Sequence, residues 1–196
     1  MNTRSLLFSF AVVVCLTGNL VAQSEAPARQ PGWNFGVFAG GGARVADHPP
    51  VRIVNAGVRV GHVMSREHSR GIMRGTFELG GEVVPVYSFF TQGRTFYGAA
   101  ITPVLLKWNF TAHRRVVPFF EVFGSGIFTR EDFPAGDTST VNFGSGAGVG
   151  AHISTRSRQA VSFNLRATHI SNASIGNYNP GINAALVATV GYTWFK

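Results

Sequence analysis

Residues 140–153 read TVNFGSGAGVGAHI, and the spacing inside that stretch decides the fold. Asn142, Gly144, Gly146, Gly148 and Gly150 recur at every second position, with Val141, Phe143, Ala147, Val149 and Ile153 on the alternate ones. Period two is the mark of a β-strand, whose successive side chains point to opposite faces. The glycines therefore share one face of a strand. They do not open a helix, and neither the dinucleotide fingerprint nor the P-loop spacing is met. A strand of a soluble sandwich also alternates, but its polar face meets water and carries many more charges. A small, glycine-rich polar face suits the crowded lumen of a narrow barrel, with the apolar face turned to lipid.

The same alternation runs outward in both directions. Ser162, Asn164, Arg166 and Thr168 oppose Val161, Phe163, Leu165 and Ala167, and Thr76, Glu78, Gly80 and Glu82 oppose Phe77, Leu79, Gly81 and Val83. Eight strands are expected, at 33–44, 51–65, 72–88, 95–109, 115–128, 140–153, 159–170 and 184–195. Each is far longer than the ~5–6 residues of an ordinary soluble strand and long enough for the ~9–11 needed to cross lipid. The expected fold is all-β, an eight-stranded antiparallel transmembrane β-barrel; a soluble periplasmic β-sandwich is the competing architecture. A chain of 196 residues, 45% apolar and 13% charged, suits one domain and excludes a disordered tail or a coiled coil. Glu78, Glu82, Lys107, Glu121 and Arg166 fall on inward positions, where buried charges need partners, so a luminal ion-pair network is expected.

The first residues set the compartment. Arg4 precedes an apolar core from Leu6 to Leu16, and small, neutral residues follow. This is the pattern of a secretory signal peptide, residues 1–23, leaving 24–196 as a single barrel domain. Cys15, the only cysteine, leaves with the signal, which excludes a disulfide framework or a Cys-rich metal site in the mature chain. With Arg4 also removed, 16 basic residues face 9 acidic ones, a net +7. An exported chain has little occasion to meet nucleic acid, so that balance is read against lipid. No later stretch is long and apolar enough for a membrane-spanning helix.

With both termini in the periplasm, odd strands run outward. Connections 66–71, 110–114 and 154–158 are then short and periplasmic, and 129–139 and 172–183 are longer and external. Tyr192, Trp194 and Phe195 resemble the aromatic final strand of outer-membrane proteins, with Lys196 as a departure. The histidines at 48, 62, 68, 113 and 152 lack the spacing that builds a metal site from one element, so no metal is expected.

Residues 166–183 read RATHISNASIGNYNPGIN. His169 continues the apolar face of strand seven after Val161, Phe163, Leu165 and Ala167, and Ser171 lies two further on. Period two thus places imidazole and hydroxyl on one lipid-facing side. Serine is inert until a base takes its proton, and histidine is the usual base at neutral pH. Asn172, Asn177 and Asn179 supply amides that could face a developing oxyanion. The alternative is an interfacial position, where a polar ring is ordinary.

The run His169-Ile170-Ser171-Asn172-Ala173, followed by Asn179-Pro180-Gly181, resembles the hallmark of the outer-membrane lipid A 3-O-deacylases (PagL). The resemblance implies a serine esterase on the outside of the barrel, in the outer leaflet of the bacterial outer membrane. It would hydrolyse the 3-hydroxyacyl ester at the 3-position of lipid A in lipopolysaccharide, with water as acceptor and no metal or cofactor. By that resemblance His169 is the general base, Ser171 the nucleophile, and Asn172 and Asn179 bind the oxyanion. A member of the family carries a glutamate where this chain has Asn183. An amide can hold the histidine tautomer but cannot stabilise the imidazolium by charge. Parity also puts Asn183 on the inner face: either a bulge or the loop re-aims it, or it is no triad member, and the triad acid is left unassigned. The readings in competition with a deacylase are a non-enzymatic small barrel, such as an adhesin or integrity protein, and a hydrolase of another lipid, such as a phospholipase.

Overall fold

The computed structural model describes residues 30–45, 49–113, 115–136 and 138–196; the expected signal peptide and His48 lie outside the described residues. Eight strands follow one another: β1 (Gly32–Arg44), β2 (Arg52–Val63), β3 (Gly75–Thr91), β4 (Arg94–Phe110), β5 (Val116–Thr129), β6 (Val141–Arg156), β7 (Gln159–Ser171) and β8 (Ile182–Phe195). Each pairs antiparallel with its sequence neighbour, and β1 pairs with β8 to close the barrel. Closure leaves no free strand edge, the condition for a sheet to stand in lipid.

The alternation read from the sequence is realised in burial. Along β6 Asn142, Gly144 and Gly148 are buried and Phe143, Ser145 and Val149 are exposed. Outside, the wall is Phe35, Val37, Val58, Val83, Phe120, Phe163, Leu165, Leu186 and Val190, all exposed apolar side chains suited to acyl chains.

The lumen has two halves. In one, Arg166 donates from both terminal nitrogens to Glu82 (2.8 Å each) and through Nε to Glu121 Oε1 (2.6 Å). Arg59 Nε reaches Glu82 Oε1 at 2.7 Å, and Glu78 accepts from Lys107 Nζ (3.0 Å) and Asn109 Nδ2 (2.9 Å). Three cations balance three carboxylates. Arg59 has the luminal parity of Ile53 and Asn55 and joins the five charges expected there. Glycine makes room for the network: a Cβ on Gly150 would stand 2.2 Å from Phe163 O and 2.4 Å from the Phe119 ring. The other half is apolar. Val51, Ile53, Phe89, Phe96, Ile127, Ile170 and Ile182 pack there, and Phe133 drops in from the β5–β6 connection to stack on Phe89 (centroids 3.9 Å apart).

Some boundaries differ from expectation. Strand three begins at Gly75, not 72, because Gly71–Met73 forms a 3-10 turn that leaves Ile72 83% exposed. Gly71 enters that turn at φ +60°, a conformation that glycine adopts without strain. The β2–β3 connection thus spans 64–74 rather than 66–71, while β3 and β4 are joined at the opposite end by Gln92 and Gly93 alone. Connection length alone therefore does not distinguish the two ends; the shared end of the two termini does.

Candidate active site

β7 ends on the barrel wall away from the termini. His169, its third-last residue, is exposed on the outer face, following Leu165 and Ala167 on the same face. Across the β6 ladder it faces Ser145, also exposed, and Ser171 faces Phe143. Imidazole and hydroxyl thus share the outer wall, as period two requires. Ser171 is half-buried at the strand end, and no hydrogen bond joins it to His169. Catalytic hydrogen bonds in unliganded sites are commonly long and tighten only with substrate.

The opposite neighbour, β8, is irregular here. Thr168 pairs with Ala185 and Ile170 with Ile182, so one residue of β7, His169, faces two of β8, Asn183 and Ala184. This is a β-bulge. It turns both Asn183 and Ala184 outward between the buried Ile182 and Ala185, so the uninterrupted parity that put Asn183 on the inner face fails by one residue. The group that meets the histidine is the Asn183 main-chain carbonyl, 3.3 Å from His169 Nδ1. A carbonyl can only accept, so the bond assigns the proton to Nδ1 and leaves the Nε2 lone pair free. The orienting group that sequence reasoning sought in the Asn183 side chain is here the backbone of the same residue.

After Ser171 the chain turns sharply. Ala173 and Ser174 both adopt left-handed backbone, φ +51° and +61°, which non-glycine residues seldom do twice in succession. Asn172 pays for that turn. Its Oδ1 accepts from the Ser174 N–H (2.9 Å), its Nδ2 donates to Tyr178 O (3.0 Å), and its own N–H donates to Asn179 Oδ1 (3.1 Å). Asn172 is 2% exposed. Asn172 and Asn179 are therefore brought together as a brace under the turn. Asn177, the third amide of the run, has none of these bonds to Asn172.

Two further contacts fix the loop from outside it. Arg44 Nη2 donates to Gly181 O at 2.7 Å. Gly176 lies flush against the β5–β6 connection, where a Cβ would be 1.9 Å from Thr138 O. Sequence reasoning missed Ser145 and the Arg44 clamp. Ser145 was legible as an interruption of the apolar face of strand six; the clamp had no signal, since it joins residues 137 positions apart.

Among the comparisons with known proteins, a solved structure bears on the fold and a family model on the family. A search of solved structures finds the crystal structure of the outer membrane enzyme PagL, 17% identical, with a TM-score of 0.52, covering 81% of this chain and 98% of that one. The outer membrane protein OprG from Pseudomonas aeruginosa is more distant, at 9% identity and TM-score 0.43, over 88% of this chain and 98% of that one. No curated protein sequence matches. The family model for the lipid A 3-O-deacylases (PagL) matches residues 54–193, which take in β3 to β7 whole, most of β2 and β8, and His169, Ser171, Asn172, Asn179 and Asn183. The chain belongs to the lipid A 3-O-deacylase (PagL) family.

Proposed function

We propose that this barrel is a serine esterase that removes the ester-linked 3-hydroxyacyl chain from the 3-position of lipid A, working from the outer leaflet of the outer membrane. The observation that carries the proposal is the placement of His169 and Ser171 on the lipid-facing wall, with the imidazole held by the Asn183 carbonyl. An ester at the boundary of sugar and acyl chain reaches such a wall by lateral diffusion. No channel through the barrel is needed.

His169, protonated at Nδ1, takes the Ser171 hydroxyl proton at Nε2 as Oγ attacks the ester carbonyl. The tetrahedral oxyanion forms beside the turn braced by Asn172 and Asn179. Asn172 is buried with its donors committed to the brace, so we assign the oxyanion to the exposed Asn179 amide that Asn172 positions. His169 then returns the proton to the departing sugar hydroxyl, and the bond between that oxygen and the acyl carbon breaks. Water, deprotonated by the same nitrogen, releases the hydroxy acid from Ser171. The Asn183 carbonyl stabilises the imidazolium as a dipole, the part a triad carboxylate plays with full charge.

The test is hydrolysis of purified lipopolysaccharide by the folded barrel in detergent micelles, followed as free 3-hydroxy fatty acid. Release by the wild type and none by Ser171→Ala supports the reading. Release of acyl chains from glycerophospholipid but not from lipopolysaccharide would show a hydrolase of another lipid.

A further inference from the structure

The excess positive charge of this chain is concentrated at one end of the barrel. In the lumen Arg59, Lys107 and Arg166 are matched by Glu78, Glu82 and Glu121. At the end away from the termini, Arg44, Arg52, Arg94 and Arg130 accompany Glu131 and Asp132 among the described residues. The end that carries the termini differs. Arg66, Arg70, Arg115, Arg156, Arg158 and Lys196 are exposed there. Its acidic side chain among the described residues, Glu67, is already paired with a further arginine, Arg74.

The level of these cations along the barrel axis is marked by aromatic side chains. Trp33 and Trp194 are exposed on the outer wall at the same end, and Trp108 is half-buried near the end of β4. The Trp33 ring lies against His62 (4.7 Å), Tyr192 against Trp194 (4.9 Å), and Lys196 Nζ sits 5.4 Å from the Phe35 ring centroid. Tryptophan and tyrosine settle where acyl chain meets headgroup. The guanidinium groups beyond them are therefore at the height of lipid phosphates.

We propose that this rim binds the anionic headgroups of glycerophospholipids in the membrane leaflet at the termini end, the leaflet opposite the candidate active site. Arginine is suited to it, since its planar fork takes phosphate oxygens two at a time. Each arginine near an anionic membrane surface contributes roughly a fivefold preference, and salt screens it. The contacts would seat the barrel at a fixed depth and hold the site on β7 at the opposite leaflet. The inference is independent of the esterase reading, because it rests on no residue of that site.

The three tryptophans near this rim supply the probe. The full-length mature barrel is reconstituted in phosphatidylcholine bilayers containing rising fractions of dibrominated phosphatidylglycerol, or of dibrominated phosphatidylcholine as the reference quencher. Fluorescence quenching then gives the association of phosphatidylglycerol relative to phosphatidylcholine. We expect a preference of about tenfold or more at low salt, falling steeply in molar sodium chloride. In Arg70→Gln/Arg115→Gln/Arg156→Gln/Arg158→Gln it should fall to about twofold or less, whereas Arg52→Gln/Arg130→Gln at the other end should leave it unchanged. Should the quadruple variant not fold, Arg156→Gln/Arg158→Gln in the β6–β7 turn should still reduce the preference at least fivefold by the same estimate. Equal association of the two lipids with the wild type at low salt overturns the proposal. So does a preference that survives the rim substitutions.

Discussion

Ser171 and His169 stand on the lipid face, outside the luminal network, so replacing either leaves the packing of the barrel interior intact. Ser171→Ala and His169→Asn should each lower deacylation by about a thousandfold or more. Both should keep the heat-modifiable band of a folded barrel. Near-wild-type turnover by either variant would mean that the roles are misassigned. Asn183 separates side chain from backbone. Because the contact to His169 Nδ1 comes from the main-chain carbonyl, Asn183→Ala should hold activity within about twofold. Deleting Asn183, which removes the bulge, should abolish it. A large loss in Asn183→Ala would show instead that the amide side chain is the orienting group.

At the level of elements, the eight strands were legible because an apolar wall and a small polar lumen impose period two over most of their 12 to 17 residues, with breaks at the register shifts of β3 and β4. What period two cannot show is an inserted residue. The β8 bulge falls in Asn183-Ala184-Ala185, where two identical side chains, one exposed and one buried, erase the parity signal. Ile72 and Met73 misled in the opposite sense. They are apolar and precede a true strand, yet they project from a 3-10 turn. The His169/Ser171 pairing on one face was legible; the brace of Asn172 on Tyr178 and Asn179 was not, because it depends on left-handed backbone at Ala173 and Ser174. That brace leans on the neighbouring connection through Gly176. Gly176→Val would push its side chain into Thr138 O and lift the loop. Activity should drop at least tenfold, the loss expected when a catalytic loop is displaced by about 1 Å, while urea unfolding of the barrel stays near wild type. Unchanged activity would show that the loop contact does not position Ser171.

Across the whole molecule, the lumen is filled at one end by Phe133 and its apolar neighbours, in its middle by charges that cancel, and at the end with the termini by Val63, Ala160 and Phe195, which makes the barrel a solid support. Arg166 holds two carboxylates at once. Arg166→Met should cost about 3–5 kcal/mol by leaving Glu82 and Glu121 short of a partner, read as a lowered urea midpoint in micelles. A cost below about 1 kcal/mol would show that Arg59 alone satisfies both. We propose that the wall carrying His169 and Ser171 acts on lipid A, and that claim is open to direct measurement. Mass spectrometry of lipid A from cells expressing the wild-type chain should show loss of one 3-hydroxyacyl mass, and cells expressing Ser171→Ala should show intact lipid A. Unchanged lipid A in the wild-type cells, with the barrel folded in their outer membrane, would contradict the account.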